Sequence, residues 1–188
     1  MQFRMTYTGR LKSRGSATAK DKHEIRKKLH PQLRALWSRD PLASKSPALW
    51  DPHLDLLEGE LSLVERVGSF VFVPLVSRRW DTIAEVEVLF LRRSSPGQLI
   101  GHGGDIDNRM KTLFDALRVP QATELPDGEA AGEGEEPFYC LLQDDALVTA
   151  LSVRTDEWLE PGDPSDVLLI IQVSVEATRL SYDWMDGL

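Results

Sequence analysis

Cysteine is almost absent from this chain: Cys140 is the only one among 188 residues. That excludes an internal disulfide and any cysteine-rich zinc centre. Cys140 falls in the apolar run FYCLL, so it is expected in a buried strand. Long apolar runs are missing as well. None approaches a membrane span, and the polar, basic N-terminus has no apolar signal core. The expectation is a cytoplasmic protein with no membrane partner. The four histidines, His23, His30, His53 and His102, lack metal-ligand spacing. There is no phosphate-binding loop with its lysine and no Gly-x-Ser-x-Gly elbow. Five tryptophans, at 37, 50, 80, 158 and 184, are expected chiefly in core or interface positions rather than stacked on bases. No internal repeat or heptad run is present.

What is there fits one domain spanning 1–188, long enough for a sizeable core. The net charge of −8 speaks against simple nucleic-acid binding, but its distribution is uneven. Residues 1–45 carry 12 Lys and Arg against 3 Asp and Glu, whereas the rest carries 10 against 27. A basic arm on an acidic body suggests nucleic-acid contact, although basic helix faces are often merely solvated.

In chain order, QFRMTYT at 2–8 alternates as a half-buried strand does. GRLKSRGSATAKDK, with Arg10, Lys12 and Arg14, reads as a mobile basic loop able to meet phosphates. A helix is expected from Asp21 to Ser38, with Ile25, Leu29, Leu33, Leu36 and Trp37 on its apolar face and Pro31 kinking or splitting it. Prolines make 39–55 a loop, with a short turn near Leu54–Leu57. Ser69–Ser77 is a strand whose Pro74 suggests an edge or bulge. Ile83–Leu91 is another strand, and RRWD between the two suggests an antiparallel hairpin. Arg92 and Arg93 open a Gly/Ser/Pro loop that runs to Gly104. QATELPDGEAAGEGEE, 121–136, has six acidic residues and is expected to be a flexible acidic insertion. Leu147–Val153 continues as a strand to Glu157, and 160–166 is a turn. Val167–Val175 is the most hydrophobic strand, expected at the sheet centre. The tail RLSYDWMDGL could pack on the domain or on a partner subunit.

The stretch GDIDNRMKTLFDALRVP, 104–120, concentrates the chemistry. Met110, Leu113, Phe114 and Leu117 recur at helical spacing. Asp107 is expected at the N-cap with Asp105 just outside, and Lys111 lies one turn on from Asp107. Asp144–Asp145 follows at the edge of a short strand. Carboxylates, an asparagine and a lysine gathered at a helix end suit magnesium, which takes oxygen ligands and substrate phosphate. That is chemistry for metal-assisted phosphodiester hydrolysis. An EF-hand register from Asp105 fails, because Met110 and Ala116 occupy its required glycine and glutamate positions. Capping and turn chemistry explain isolated aspartates equally well, and an i,i+4 ion pair explains Lys111.

Asp105-x-Asp107-Asn108-x-x-Lys111-x-x-x-Asp115-Ala116-Leu117, followed by Asp144-Asp145, resembles the RusA-type Holliday junction resolvase family. The order of elements resembles it too. The resemblance implies an α/β (α+β) fold with a mixed, mainly antiparallel sheet and two principal helices. It implies a magnesium-dependent homodimeric endonuclease, with manganese as a substitute metal, acting on four-way or related branched DNA. Asp105, Asp107 and Asp145 would be metal ligands, with Lys111 beside them as the fourth catalytic residue. Asn108 and Asp144 would support them, and Asp115 would be structural. Arg10, Lys12, Arg14, Arg92, Arg93 and Arg109 would hold the DNA backbone. Gly104 stands where the family often has a basic residue. A non-catalytic DNA-binding or regulatory protein on the same fold is the alternative, favoured by that glycine and by the acidic insertion.

Overall fold

The computed structural model describes residues 1–45, 49–52, 62–93 and 106–178. Asp105, the loop 94–104, His53, the turn near Leu54–Leu57 and the tail with Trp184 lie outside the described residues. The described elements run β1 (Gln2–Arg10), α1 (Ala19–Trp37), β2 (Glu65–Val67), β3 (Phe70–Val76), β4 (Thr82–Arg92), α2 (Ile106–Leu117), β5 (Phe138–Leu142), β6 (Val148–Glu157) and β7 (Asp166–Ala177). The fold is mixed α+β, with two long helices and mostly antiparallel strand pairs. It forms two sheets rather than one. The first has the order β1-β7-β4-β6 and the second β2-β3-β5. Only β4–β6 and β3–β5 are parallel among the described pairs.

β7 lies inside the larger sheet, between β1 and β4. Its alternate residues Val167, Leu169, Ile171, Val173 and Val175 are buried. Each such side chain contributes about 1.5–3 kcal/mol of hydrophobic stabilisation. β4 alternates in the same way, with Glu85 and Glu87 exposed between buried Ala84, Val86 and Val88. β3 and β5 differ, because every residue of both is buried. That pattern belongs to strands covered on both faces.

The expected β3–β4 hairpin does not form. A short helical turn, Arg78–Trp80, ends at Asp81 in the left-handed region (φ 47°) and carries the chain from one sheet into the other. Buried Trp80 anchors that turn. Thr82 Oγ1 accepts from the Ser77 N–H at 2.9 Å and holds the two ends together. A strand apolar on both faces does not match a neighbour with one wet face, so the two part company. Pro74 sits beyond the end of β2, whose pairing stops at Phe72. There β3 has a strand partner on one side only, which is where a residue without N–H is tolerated.

α1 starts at a capping box. Thr18 Oγ1 accepts the Asp21 N–H and the Asp21 carboxylate accepts the Thr18 N–H at 2.8 Å. The helix runs through exposed Pro31 without splitting. Burial of Leu29 and Leu33 on either side holds both halves against the core. Trp37 closes the end of the helix against Trp80 and Tyr139, with ring centroids 5.6 and 5.7 Å away. Among the described residues, no helix is long and apolar enough to cross a membrane.

Candidate functional site

α2 buries Met110, Leu113, Phe114 and Leu117, the predicted apolar face. Its other face presents Asp107 and Lys111 to solvent, with side chains 59% and 46% exposed. The Lys111 ammonium donates to the Asp107 carboxylate at 2.5 Å. Asp107 is not the N-cap. The helix begins at Ile106, so Asp107 lies within its first turn, where the helix dipole still favours a carboxylate. Asp105 precedes it and lies outside the described residues.

The loop after β1, expected to be mobile, is seated on this helix start. Leu11 is buried. The Leu11 carbonyl accepts from the Arg109 guanidinium. The Arg14 N–H donates to the Asn108 carbonyl at 3.0 Å, and the Thr112 hydroxyl donates to the same oxygen. Burial, reinforced by the charge of Arg92, lowers the Arg109 pKa from its ordinary value.

The second acidic pair sits at the far end of β5. The Val119 N–H donates to the Leu142 carbonyl at 2.9 Å, which ties the exit of α2 to that strand. Asp144 caps a short helical turn, Asp145–Leu147, and its carboxylate accepts the Ala146 N–H at 2.8 Å. That bond is the main reason its pKa lies below the usual carboxylate range. Burial opposes the effect, while a hydrogen bond with the Asp145 carboxyl and the charges of Arg78 and Arg118 add to it. Asp145 itself is exposed.

Both aspartates line an open cleft of about 370 Å³ together with Arg14, Glu65, Asp115, Arg118 and Gln143. Arg14 thus joins the two halves, since its backbone holds the first turn of α2 and the residue lines the same cleft as the second acidic pair. Asp107 and Lys111 are not part of the cleft wall. Asp115, read as structural, is buried with Lys22 at 2.7 Å and Arg118 at 3.3 Å. Arg118 also pairs with Glu124 at 2.8 Å, and Arg26 donates to the Asp115 carbonyl. Sequence reasoning missed Arg118, Lys22 and Arg26. Arg118 had a local signal, three residues after Asp115 on the same helical face. Lys22 and Arg26 arrive from a distant helix and had none.

At least four of the six predicted backbone-binding cations are engaged within the chain, Arg109 through the Leu11 carbonyl already described. Arg10 pairs with Asp163 at 3.0 Å and Lys12 with Asp21 at 2.7 Å. Arg93 stacks 3.5 Å over the Trp158 ring and donates to the carbonyls of Glu160 and Asp163. Arg92 is half-buried, and its carbonyl accepts the Trp158 N–H at 2.8 Å.

As a cation site the residues fit in kind. Asp107 and Asp145 are exposed hard oxygen donors, and the Asp144–Asp145 carboxyl pair is an arrangement that positive charge would relieve. Among the described residues, no three His, Cys, Asp or Glu side chains form a metal-binding group. Neither a family model, nor a curated protein, nor a solved structure matches the chain.

Proposed function

We propose that this chain is a magnesium-dependent, structure-selective endonuclease of the RusA-like class that resolves four-way junctions or related branched DNA in the cytoplasm. One observation carries the reading: the Asp105-x-Asp107-x-x-x-Lys111 spacing, with Asp107 and Lys111 side by side on the wet face of α2, and the Asp144–Asp145 pair on a cleft that Arg14 shares. Asp105, Asp107 and Asp145 would hold magnesium, or manganese in its place. When bound, the metal supplies an activated water and charge neutralisation at phosphorus. Lys111 now neutralises Asp107. Once that carboxylate is engaged elsewhere, its ammonium is free to stabilise charge on the scissile phosphate. Asn108 and Asp144 keep the two segments in shape through their backbone and capping bonds. Arg14 and Arg109 flank the start of α2, while Arg10, Lys12, Arg92 and Arg93 hold the DNA backbone at the ends of β1 and β4, exchanging internal partners for phosphates where they have them. Symmetric cutting needs two sites, so the working form is a homodimer.

The test is cleavage of a labelled synthetic four-way junction beside its linear duplex, with and without magnesium, by wild type and Asp107→Asn. Nicking of the junction alone, dependent on magnesium and lost in the variant, is the expected result. Cleavage unchanged in the variant refutes the site. The Asp107–Lys111 ion pair favours a second reading, a non-catalytic DNA-binding or regulatory protein on this fold. That reading expects tight junction binding with no cleavage and no calorimetric signal for magnesium or manganese.

A further inference from the structure

Segment 121–136, read from sequence as a flexible insertion with almost nothing to bury, is folded against α1. Leu125 and Ala131 pack on the cluster of Phe70, Phe72, Phe138 and Cys140. The polar part of the segment meets a stripe on α1. Lys20, His23, Lys27, His30 and Arg34 recur at alternating spacings of three and four residues, which sets them on one helical face.

Each partner in this contact is specific. Glu129 pairs with Lys27 and lies 3.7 Å from buried His23, and its carboxylate also feels Lys20. The field of Glu135 reaches His23, Lys27 and His30. His30 Nδ1 accepts the Tyr139 N–H at 2.9 Å, so its Nε2–H donates to the Gly134 carbonyl at 3.0 Å. The Arg34 guanidinium donates to the same oxygen at 3.3 Å. Gly134 adopts φ +77°, a conformation that favours glycine. The contact is not sealed. A cleft of about 430 Å³ separates the two sides, with Lys27, His30 and Arg34 on one wall and Glu133 and Glu135 on the other.

We propose that this α1 face is a binding surface for the sugar–phosphate backbone of DNA, and that segment 121–136 occupies it as a displaceable acidic strap. The carboxylates and the Gly134 carbonyl stand where phosphate oxygens would stand, opposite a periodic row of donors. The open cleft lets phosphates compete for Lys27 and Arg34 while Leu125 and Ala131 keep their apolar anchors. The inference rests on the DNA-binding part of the proposed function and not on the carboxylate site, so it is tested without metal or cleavage.

The experiment is binding of a short linear duplex, in chelator, across a salt series. The variant Glu129→Gln/Glu133→Gln/Glu135→Gln keeps the hydrogen-bonding capacity and apolar anchors of the strap. It is compared with wild type and with Glu85→Gln/Glu87→Gln/Asp156→Asn, which removes the same charge from an exposed sheet face. The strap variant should bind about tenfold tighter at low salt. Its plot of log affinity against log salt should be steeper by about 1.8, the value for two further phosphate contacts. Adding Lys27→Ala and Arg34→Ala should abolish both gains. An equal gain in the sheet-face control, a gain that survives the α1 substitutions, or no gain at all overturns the proposal. Wild type gives an independent reading: duplex should slow acetylation of Lys20 and Lys27, and unchanged rates overturn it as well.

Discussion

Asp115 offers the sharpest test of how the two helices are joined. Its side chain is 10% exposed, with Lys22 at 14%, Arg118 at 15% and Glu124 at 19%. With buried Arg26, which donates to the carbonyls of Asp115 and Glu124, three cations and two carboxylates therefore share a mostly dry seam between α1 and α2. Asp115→Ala removes one carboxylate and leaves the three cations with the Glu124 carboxylate alone. Breaking a buried pair from one side costs about 3–5 kcal/mol. Glu124 still lies 2.8 Å from Arg118 and 3.8 Å from Lys22, which softens the loss. The expected destabilisation is therefore about 2–3 kcal/mol. In urea, with a slope of about 2–3 kcal/mol/M, the midpoint should fall by about 1 M. Lys22→Met in the same background should recover part of the loss, with a coupling of at least about 0.5 kcal/mol. A loss below about 0.5 kcal/mol, or strict additivity with Lys22→Met, would refute the account and release Asp115 for a role in the adjacent cleft.

Three further outcomes follow from the packing. Burial lowers the pKa of His23 and His30 below the ordinary 6.5, so the unfolded chain takes up their protons first. Their stability contribution is complete above pH 6.5 and declines as pH falls below it, by up to about 1.4 kcal/mol per pH unit for each ring; urea midpoints from pH 7.5 to 5.5 should fall, and less so in His30→Gln. Thr18→Ala removes the α1 cap and should lower Tm by about 2–4 °C in a thermal scan. Cys140 is buried, and burial pushes its thiol far above the ordinary range, so a thiol reagent should label it only at the rate of unfolding in a denaturant series.

Periodicity located α1, α2, β1 and β4, because each has a buried and a wetter face and so leaves a repeating mark in the sequence. β7 was legible from its apolar run, which also singled it out as an interior strand, since an element so apolar must be covered. The Asp107–Lys111 pair was legible for the same reason: four residues on a helix is a local relation. The split into two sheets was not read, although its mark was present. Phe70–Val76 and Phe138–Leu142 are apolar at every position, unlike alternating β4, and such strands seek each other rather than a half-wet neighbour.

Local pattern determined which residues face inward and which carboxylates and cations can meet within a turn of helix. Partnership across the chain was decided only by tertiary structure. Lys22 meets Asp115 across 93 residues, Arg10 meets Asp163 across 153, and an acidic segment that looked solvated finds a basic stripe on α1. Charge pairing depends on distance in space, and a charged residue in sequence reads the same whether water or a counter-charge surrounds it.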